Sequence, residues 1–393
     1  MSAKLRIMPL SFAMGGAFAL LLQQILKNVH WRASHRSLWS ALTSHFPTSW
    51  FSDPNMTSCG ALNIVNGAEW CRRLRTRPAK GMYSFYSSLT DAITTDAELM
   101  SVPIDDHIIV RGHAVFDTAS LCAGRLYRLQ IHLRRLIDSA AKARLKLPFG
   151  PDTNANIERM TQIICATCLA SGQKGANVRY WLTAGPGNLG VTPSGCVPSF
   201  YVLVFAALPF DKSWSMSGIR EATVPESEVP LKPKLLAELK STNYMLNALT
   251  AMAAQDRGGT FGIGIDSQGY VKESCVLNVA VVGADRVLRT PPFDGILAGT
   301  TIRRAMALAE EQLLPLGLLE GAAQEPISLA DLRNATEVIL LAGDTHVYGV
   351  TSLDGKTVGE GEVGVVTRAI TTALVEDATK EGQTEDHIDL PSY

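Results

Sequence analysis

From residue 81 onward, strand-like and helix-like segments alternate along the chain, and this alternation limits the folds that the chain can adopt. In the first half, runs of β-branched and aromatic residues separated by turn-forming residues predict strands at 81–91, 99–116, 176–184 and 199–207. Leu129, Leu133, Leu136 and Ala140 follow three- and four-residue spacing, which predicts an amphipathic helix that ends by Pro148. A second helix is expected at about 157–170.

The second half repeats the mixture. Strands are predicted at 219–224, 261–266, 270–282 and 338–341, and helices at 243–255, 301–314 and 367–379. Such a mixture predicts an α/β (α+β) protein. We expect two domains, a smaller one at 81–208 and a larger one at 218–393. A turn-prone connection at 209–217 joins them, and a leading segment at 53–80 precedes them.

The first 52 residues differ from the remainder because they contain no Asp or Glu. They carry five basic residues and an apolar run, Met8 to Leu22, that is shorter than the about 20 residues of a membrane-spanning helix. These features are typical of targeting sequences. We expect a cleaved leader that directs the chain to an organelle, plastid or mitochondrion. The alternatives are a weak membrane anchor, or a cytoplasmic protein if the leader is not functional.

Composition excludes several classes of protein. The 36 Lys and Arg nearly balance the 37 Asp and Glu, which argues against a nucleic-acid binder. A hydrophobic content of 46% excludes intrinsic disorder. The odd count of 7 Cys at scattered spacing indicates reduced, intracellular thiols, and no pattern of His or Cys predicts a metal site.

Three short segments contain candidate functional residues. Gly299, Thr300 and Thr301 begin a predicted helix, where free N–H groups and hydroxyls can bind an anion, although a plain helix cap is the simpler interpretation. Lys240 precedes another helix and could serve as a nucleophilic amine. Most lysines are solvated, however, and nothing in the residues separates it from Lys232 and Lys234. Glu273 lies within a predicted strand, where an acid usually faces solvent.

Together these segments resemble the class IV (fold type IV) pyridoxal-phosphate enzymes, most closely the plant D-amino-acid transaminase group. The resemblance runs from about Met82 to the end of the chain and rests on four stretches: 102–118 (VPIDDHIIVRGHAVFDT), 179–187 (RYWLTAGPG), 240–244 (KSTNY) and 390–393 (LPSY). It implies a two-domain fold with a small N-terminal α/β domain and a larger C-terminal domain with a barrel-like sheet. A homodimer with the cofactor in the cleft is also implied.

The resemblance assigns roles residue by residue. Lys240 is implied to form the internal aldimine with pyridoxal 5'-phosphate and to move the substrate proton, and Glu273 to pair with the ring nitrogen. The other implied cofactor-binding residues are Arg135, Tyr244, Asn278, Leu297, Thr300 and Thr301. Arg135 lies off the apolar stripe of its helix, so periodicity alone predicts a solvated charge there.

Departures from the family pattern fall at positions that face substrate. The loop that binds the substrate carboxylate reads Gly343-Asp344-Thr345-His346, with a charge and an imidazole added. The candidate substrate residues are Phe116, Arg179, Thr345 and His346. The expected activity is transamination of small amino acids, D-alanine with 2-oxoglutarate foremost. Aminodeoxychorismate lyase, branched-chain L-amino-acid aminotransferase and a catalytically inactive binding module are the alternatives.

Overall fold

The alternation of helices and strands is present in the structure, a computed structural model that describes residues 63–76, 78–206, 211, 213–379 and 387–390. The leader predicted at 1–52 lies outside the described residues, as do residues 209, 210 and 212 of the connection predicted at 209–217. The helices are α1 (Gly67–Leu74), α2 (His107–Val110), α3 (Leu129–Lys142), α4 (Thr153–Ser171), α5 (Trp214–Ser217), α6 (Lys234–Glu238), α7 (Met245–Gln255), α8 (Thr300–Leu308), α9 (Leu329–Asn334) and α10 (Val365–Thr379). Among the helices so described, none is long and apolar enough to span a membrane.

The strands fall into three sheets and come mainly from two stretches of the chain. The first stretch supplies β1 (Met82–Ser87), β2 (Ala92–Thr94), β3 (Ala114–Cys122), β4 (Arg125–Leu126), β5 (Ala176–Thr183) and β6 (Ser199–Phe205). The second supplies β7 (Ile219–Glu221), β8 (Thr223–Pro225), β9 (Ile263–Ile265), β10 (Val271–Ser274), β11 (Asn278–Val282), β12 (Val287–Thr290), β13 (Gly321–Gln324), β14 (Glu337–Ala342), β15 (His346–Leu353) and β16 (Lys356–Thr357). A last strand, β17 (Ile388–Asp389), pairs with β4 in the first sheet.

The first sheet has the strand order β17-β4-β3-β5-β6-β1-β2, and α3 and α4 pack on one of its faces. The helical stripe predicted from Leu129, Leu133 and Leu136 is buried in this core. Side chains alternate between the two faces of a strand, so residues two apart on β3 share a face. The antiparallel register places Thr118 of β3 opposite Arg179 of β5.

The other sheets are built from the second stretch. Strands β8, β9 and β10 form a small sheet, while β13-β12-β11-β14-β15-β16, with β7 beside β15, form a large one. Helices α8 and α10 cover one face of the large sheet, and a second apolar core fills the other. The mixed fold class is therefore confirmed. The predicted domain boundaries stay predictions, and the described residues from Cys71 onward form one compact unit.

Two strand predictions were wrong in part. Within 99–116 the strand begins only at Ala114, because the Asp106 carboxylate accepts the N–H of Ile108 and caps the short helix α2. The single strand predicted over 270–282 is two strands in different sheets. A turn closed by the Ser274 N–H donating to the Leu277 carbonyl at 2.9 Å separates them. The residues at the break, Cys275, Val276 and Leu277, are apolar and do not reveal it.

Candidate active site

A cavity of about 270 Å³ collects residues from the first sheet, from α3, from the loop before α7, from the start of α8 and from the turn between β14 and β15. Its lining includes all but two of the site residues predicted from sequence: Phe116, Arg135, Arg179, Lys240, Tyr244, Asn278, Leu297, Thr300, Thr301 and His346. These positions are up to 230 residues apart in the chain, from Phe116 to His346. The fold therefore brings the predicted site together in one place.

The two exceptions are Glu273 and Thr345. Glu273 lines a small adjoining cavity of about 20 Å³ whose wall shares Tyr244, Asn278 and Leu297 with the main one. Thr345 lies in the same turn as His346, and its N–H donates to the Gly343 carbonyl at 2.8 Å. Its side chain is not part of the lining, whereas that of His346 is.

Lys240 is fixed by its backbone. Its carbonyl accepts the N–H of Phe116 at 2.9 Å, and its own N–H donates to the Ser139 hydroxyl at 3.3 Å. The ammonium lies 4.8 Å from the centre of the Phe116 ring and 3.5 Å from the Tyr244 hydroxyl. Burial, with a further contribution from the Arg135 charge, lowers the pKa of Lys240 to about 8. A substantial fraction of neutral amine is therefore present near physiological pH.

Tyr244 stands beside this lysine at the N-terminus of α7. Its ring meets the Phe116 ring edge-on at 5.2 Å. Burial raises the pKa of the Tyr244 phenol to about 12, so the hydroxyl keeps its proton and can donate a hydrogen bond into the cavity.

The N-terminal end of α8 also lines the cavity. Gly299 precedes Thr300 and Thr301, which are the first residues of the helix. A Cβ on Gly299 would overlap the Asn278 Oδ1 atom, so the backbone can approach there only because no side chain is present. Asn278 in turn donates to the Leu297 carbonyl at 2.9 Å. The N–H groups of a first helical turn, two hydroxyls and the helix dipole make this end suited to an anion.

Arg135 lines the same cavity, although the helical periodicity predicted a solvated charge. Its Nε and Nη2 donate to the two oxygens of Asp117 at 2.8 and 2.7 Å. Burial alone would raise the pKa of Asp117, but the charges of Arg135 and His132 outweigh it and hold that pKa well below its ordinary value. Both Arg135 and Asp117 line the cavity, so Arg135 is not a solvated surface charge.

Sequence reasoning missed Asp117 and His132 as members of this network, and it placed Asp344 in the substrate loop, whereas the structure buries that side chain against His132. His132 Nδ1 lies 3.0 Å from Asp117, and its Nε2 lies 2.9 Å from Asp344. Asp344 also accepts the N–H of Ser120 at 3.1 Å. Asp117 follows Phe116 directly in the motif and could have been noticed. The contact between His132 and Asp344 joins residues too distant in sequence for any local signal.

Arg179 lies on β5 and lines the cavity, and no acid among the described residues pairs with it. Its Nε donates to the Thr118 hydroxyl at 3.0 Å, and its guanidinium carbon lies 5.4 Å from the ring centres of both Phe116 and Phe205. Burial lowers the pKa of this guanidinium. The sequence also missed the aromatic wall that completes the cavity: Phe205, Phe261 and Tyr348. This wall suits an apolar group, and Arg179 suits a carboxylate.

Known proteins share this arrangement of elements. The sequence model of a protein family described as class IV amino-transferase matches residues 114–353. The chain is 36% identical over 321 residues to a chloroplastic D-amino-acid transaminase of Arabidopsis thaliana, which covers 80% of this chain and 82% of that protein. It is 29% identical over 268 residues to a branched-chain-amino-acid aminotransferase of Escherichia coli strain K12, covering 66% and 81% of the two chains. In fold it is similar to a branched-chain amino acid aminotransferase of T.th. solved with pyridoxamine 5'-phosphate, with a TM-score of 0.64, 22% identity, and coverage of 77% of this chain and 95% of that one.

Proposed function

The chain belongs to the class IV aminotransferase family, whose members are pyridoxal-phosphate enzymes, and we propose that it transfers the amino group of small D-amino acids, D-alanine foremost, to 2-oxoglutarate. The observation that carries this proposal is the position of Lys240. It is the one lysine in the lining of the described cavity, and the N-terminal residues of α8, which are suited to an anion, line the same cavity. An amine of lowered pKa and an anion-binding group in one cavity match the aldehyde and the phosphate of pyridoxal phosphate, respectively.

The remaining residues fit the same cofactor. Arg135 and the N-terminus of α8 would hold its phosphate, because an arginine fork and free N–H groups are suited to phosphate oxygens. Tyr244 would donate to its phenolate oxygen, and Glu273 would pair with its ring nitrogen. Leu297 would pack against the ring. When bound, pyridoxal phosphate supplies an electron sink for the bond that breaks at the substrate Cα.

Lys240 also has the properties of the base. In its neutral form, which its pKa of about 8 makes accessible, the Nζ atom can accept the proton that leaves the substrate Cα. The Tyr244 hydroxyl, 3.5 Å from that nitrogen, keeps its own proton and orients the amine.

We assign substrate recognition to cavity-lining residues of β3, β5 and β15. We assign Arg179 to a substrate carboxylate, because its guanidinium lines the cavity between two phenyl rings without a described acidic partner. Phe116 and His346 would contact the same substrate, and Thr345 would act only through the backbone of its turn. The name of the Arabidopsis relative supports D-amino acids. Branched-chain L-amino acids are the second candidate, supported by the name of the Escherichia coli relative and by the apolar lining at Val276 and Leu277.

One panel of assays tests the proposal. The purified protein is supplied with pyridoxal phosphate, and its visible absorbance is compared with that of Lys240→Ala and of the exposed control Lys234→Ala. D-alanine, L-alanine, L-leucine and aminodeoxychorismate are then each tested with and without 2-oxoglutarate. We expect colour in the wild type and in Lys234→Ala but not in Lys240→Ala, and pyruvate from D-alanine only with the acceptor.

Other outcomes decide against it. Faster turnover of L-leucine indicates the branched-chain activity, and pyruvate from aminodeoxychorismate without an acceptor indicates the lyase. A wild type that takes up no cofactor contradicts every enzyme alternative and leaves the binding module.

Location and assembly complete the proposal. Residues 1–52 would direct the chain to a plastid, which the chloroplastic relative supports. A fusion of this segment to a fluorescent protein tests the assignment, because the fusion should enter plastids and an equal fusion starting after residue 52 should not. The protein would act as a homodimer, which light scattering of the purified protein measures.

A further inference from the structure

A second lysine contacts the residues that would hold the cofactor ring. The Lys232 ammonium lies 3.2 Å from Glu273 Oε1, and the two side chains are only 12% and 16% exposed. A lysine held this far from water is unusual unless an acid compensates its charge. The pair is therefore part of the protein interior and not one of its surface ion pairs.

This contact helps to fix the orientation of the Glu273 carboxylate. The other oxygen, Oε2, accepts the N–H of Leu297 at 3.1 Å. Oε1 is thus paired with the Lys232 ammonium and Oε2 with a backbone N–H group. Leu297 lines the main cavity, and the carboxylate lies in the small cavity directly behind it. The lone pairs of the Glu273 carboxylate that these two contacts do not use are available to a ring nitrogen.

Lys232 also lies near Tyr244, which lines the same small cavity. Its ammonium lies 5.7 Å from the centre of the Tyr244 ring. Burial raises the pKa of Tyr244, and the charge of Lys232 is the largest effect that opposes this rise. One ammonium thus contacts both the acid and the phenol that would bind the two polar positions of the ring.

The neighbouring lysine shows that this placement is specific. Lys234 follows Pro233 as the first residue of α6, is 65% exposed and pairs with Asp294. Pro233 fixes the backbone between the two lysines at φ −52° and ψ 144°. As a result Lys232 lies against the site and Lys234 lies in solvent, although both occur in the same short sequence.

We propose that Lys232 is a positioning residue, which holds the Glu273 carboxylate toward the ring nitrogen of the cofactor so that this nitrogen stays protonated. The inference rests on the proposed function, because it needs the ring to lie between Lys240 and Glu273. Without the ammonium, the carboxylate would keep one backbone partner and could rotate away from the ring. A ring nitrogen that loses its anionic partner loses its proton more readily.

The test uses pyridoxamine 5'-phosphate, whose binding does not need a covalent bond to Lys240. Its dissociation constant is measured for the wild type, Lys232→Met, Lys232→Arg and the matched control Lys234→Met. The cofactor is also labelled with ¹⁵N in the ring, since the ¹⁵N chemical shift distinguishes a protonated ring nitrogen from an unprotonated one. Circular dichroism reports whether each variant is folded, and Lys232→Gln replaces Lys232→Met if the latter is not.

We expect Lys232→Met to bind pyridoxamine 5'-phosphate about tenfold more weakly, because the charged hydrogen bond between Glu273 and the ring nitrogen would be lost. The ¹⁵N signal of the ring should move toward the unprotonated position. Lys232→Arg should restore both, and Lys234→Met should match the wild type. A Lys232→Met variant with wild-type affinity and a protonated ring overturns the inference. Failure of the wild type itself to bind pyridoxamine phosphate contradicts the proposed function instead.

Discussion

His132 Nε2 lies 2.9 Å from Asp344 Oδ1, and Nδ1 of the same ring lies 3.0 Å from Asp117 Oδ1. A carboxylate only accepts hydrogen bonds, so both ring nitrogens must donate and the ring is an imidazolium. Burial by itself would lower the pKa of His132, but the charges of Asp344 and Asp117 raise it to about 9. The side chain of Asp344 therefore joins the turn after β14 to the helix that carries Arg135.

This network predicts a loss of stability with rising pH. The folded-state pKa of His132 is above its ordinary value of about 6.5, so its contribution is complete below pH 6.5 and is lost as pH rises through about 9. The shift corresponds to roughly 3 kcal/mol in the free energy of unfolding. Urea unfolding at several pH values between 6 and 10 should show this loss in the wild type and much less of it in His132→Gln.

Asp344→Asn provides the comparison within the same network. The amide keeps the shape of the side chain but removes one of the two charges that raise the pKa of His132. Its pH-dependent loss of stability should therefore begin at lower pH than that of the wild type. Parallel stability curves for the wild type and both variants would show that His132 does not titrate in this range.

The sequence predicts elements well where one periodicity holds throughout. The stripe of Leu129, Leu133 and Leu136 locates α3 and its buried face, and the structure confirms it. The same periodicity placed Arg135 in solvent. A helix beside a cavity has two partly buried sides, one apolar and one polar. The periodicity of apolar residues reveals only the apolar side. The resemblance to a family, and not the periodicity, identified that residue.

Other parts of the site depend on contacts between distant residues. Nothing near Lys232 or Lys240 in the sequence separates the two lysines, since the direction of each side chain is set by tertiary contacts. The break between β10 and β11 was missed because an apolar segment can continue or turn without a change in pattern. Asp344 was recognised as a departure from the family pattern, but its partner His132 could be found only in the structure.

The close approach of Gly299 to Asn278 predicts that the anion-binding end tolerates no side chain. In Gly299→Ala the new Cβ would overlap Asn278 Oδ1, and the Asn278 side chain is itself held by the Leu297 carbonyl. We expect a loss of about 1–3 kcal/mol in the free energy of unfolding, as for other overpacked sites, together with weaker binding of pyridoxal phosphate. Thermal unfolding and spectrophotometric titration measure the two effects.

Gly321→Ala is the matched control for that variant. Its Cβ would meet Val287 at an ordinary contact distance of 3.6 Å, far from the cavity. It should unfold like the wild type and bind the cofactor normally. If Gly299→Ala behaves in the same way as this control, then the end of the cavity is wider than the structure shows.

The lowered pKa of Lys240 predicts unusual reactivity toward amine reagents. In cofactor-free protein, trace labelling with acetic anhydride at pH 6 to 11 reports the neutral fraction of each lysine by mass spectrometry. Labelling of Lys240 should reach half its maximum near pH 8. Lys234, whose pKa its hydrogen bond to Asp294 raises, should reach half its maximum only at higher pH than Lys240. Coincident profiles for the two lysines would contradict the proposed base.

Arg135 and its exposed neighbour Arg134 give the last prediction. Asp117 is fully buried, so Arg135→Gln removes a bidentate partner from a carboxylate that cannot reach water. Loss of one member of a buried ion pair costs roughly 3–5 kcal/mol, and the lower end applies here because His132 still contacts Asp117. Urea unfolding of the cofactor-free protein measures this loss, and Arg134→Gln should leave the free energy of unfolding within about 0.5 kcal/mol of the wild type.

The same two variants test the phosphate-binding role separately from stability. Pyridoxal and pyridoxal phosphate differ only in the phosphate, so the ratio of their dissociation constants isolates the contacts of that group. Arg135→Gln should reduce the preference for the phosphorylated form at least tenfold, since a charged hydrogen bond to phosphate is worth about 1.5–3 kcal/mol. Arg134→Gln should keep the wild-type ratio. An unchanged ratio in Arg135→Gln, alongside its loss of stability, would restrict Arg135 to holding Asp117 and assign the phosphate to the N-terminus of α8 alone.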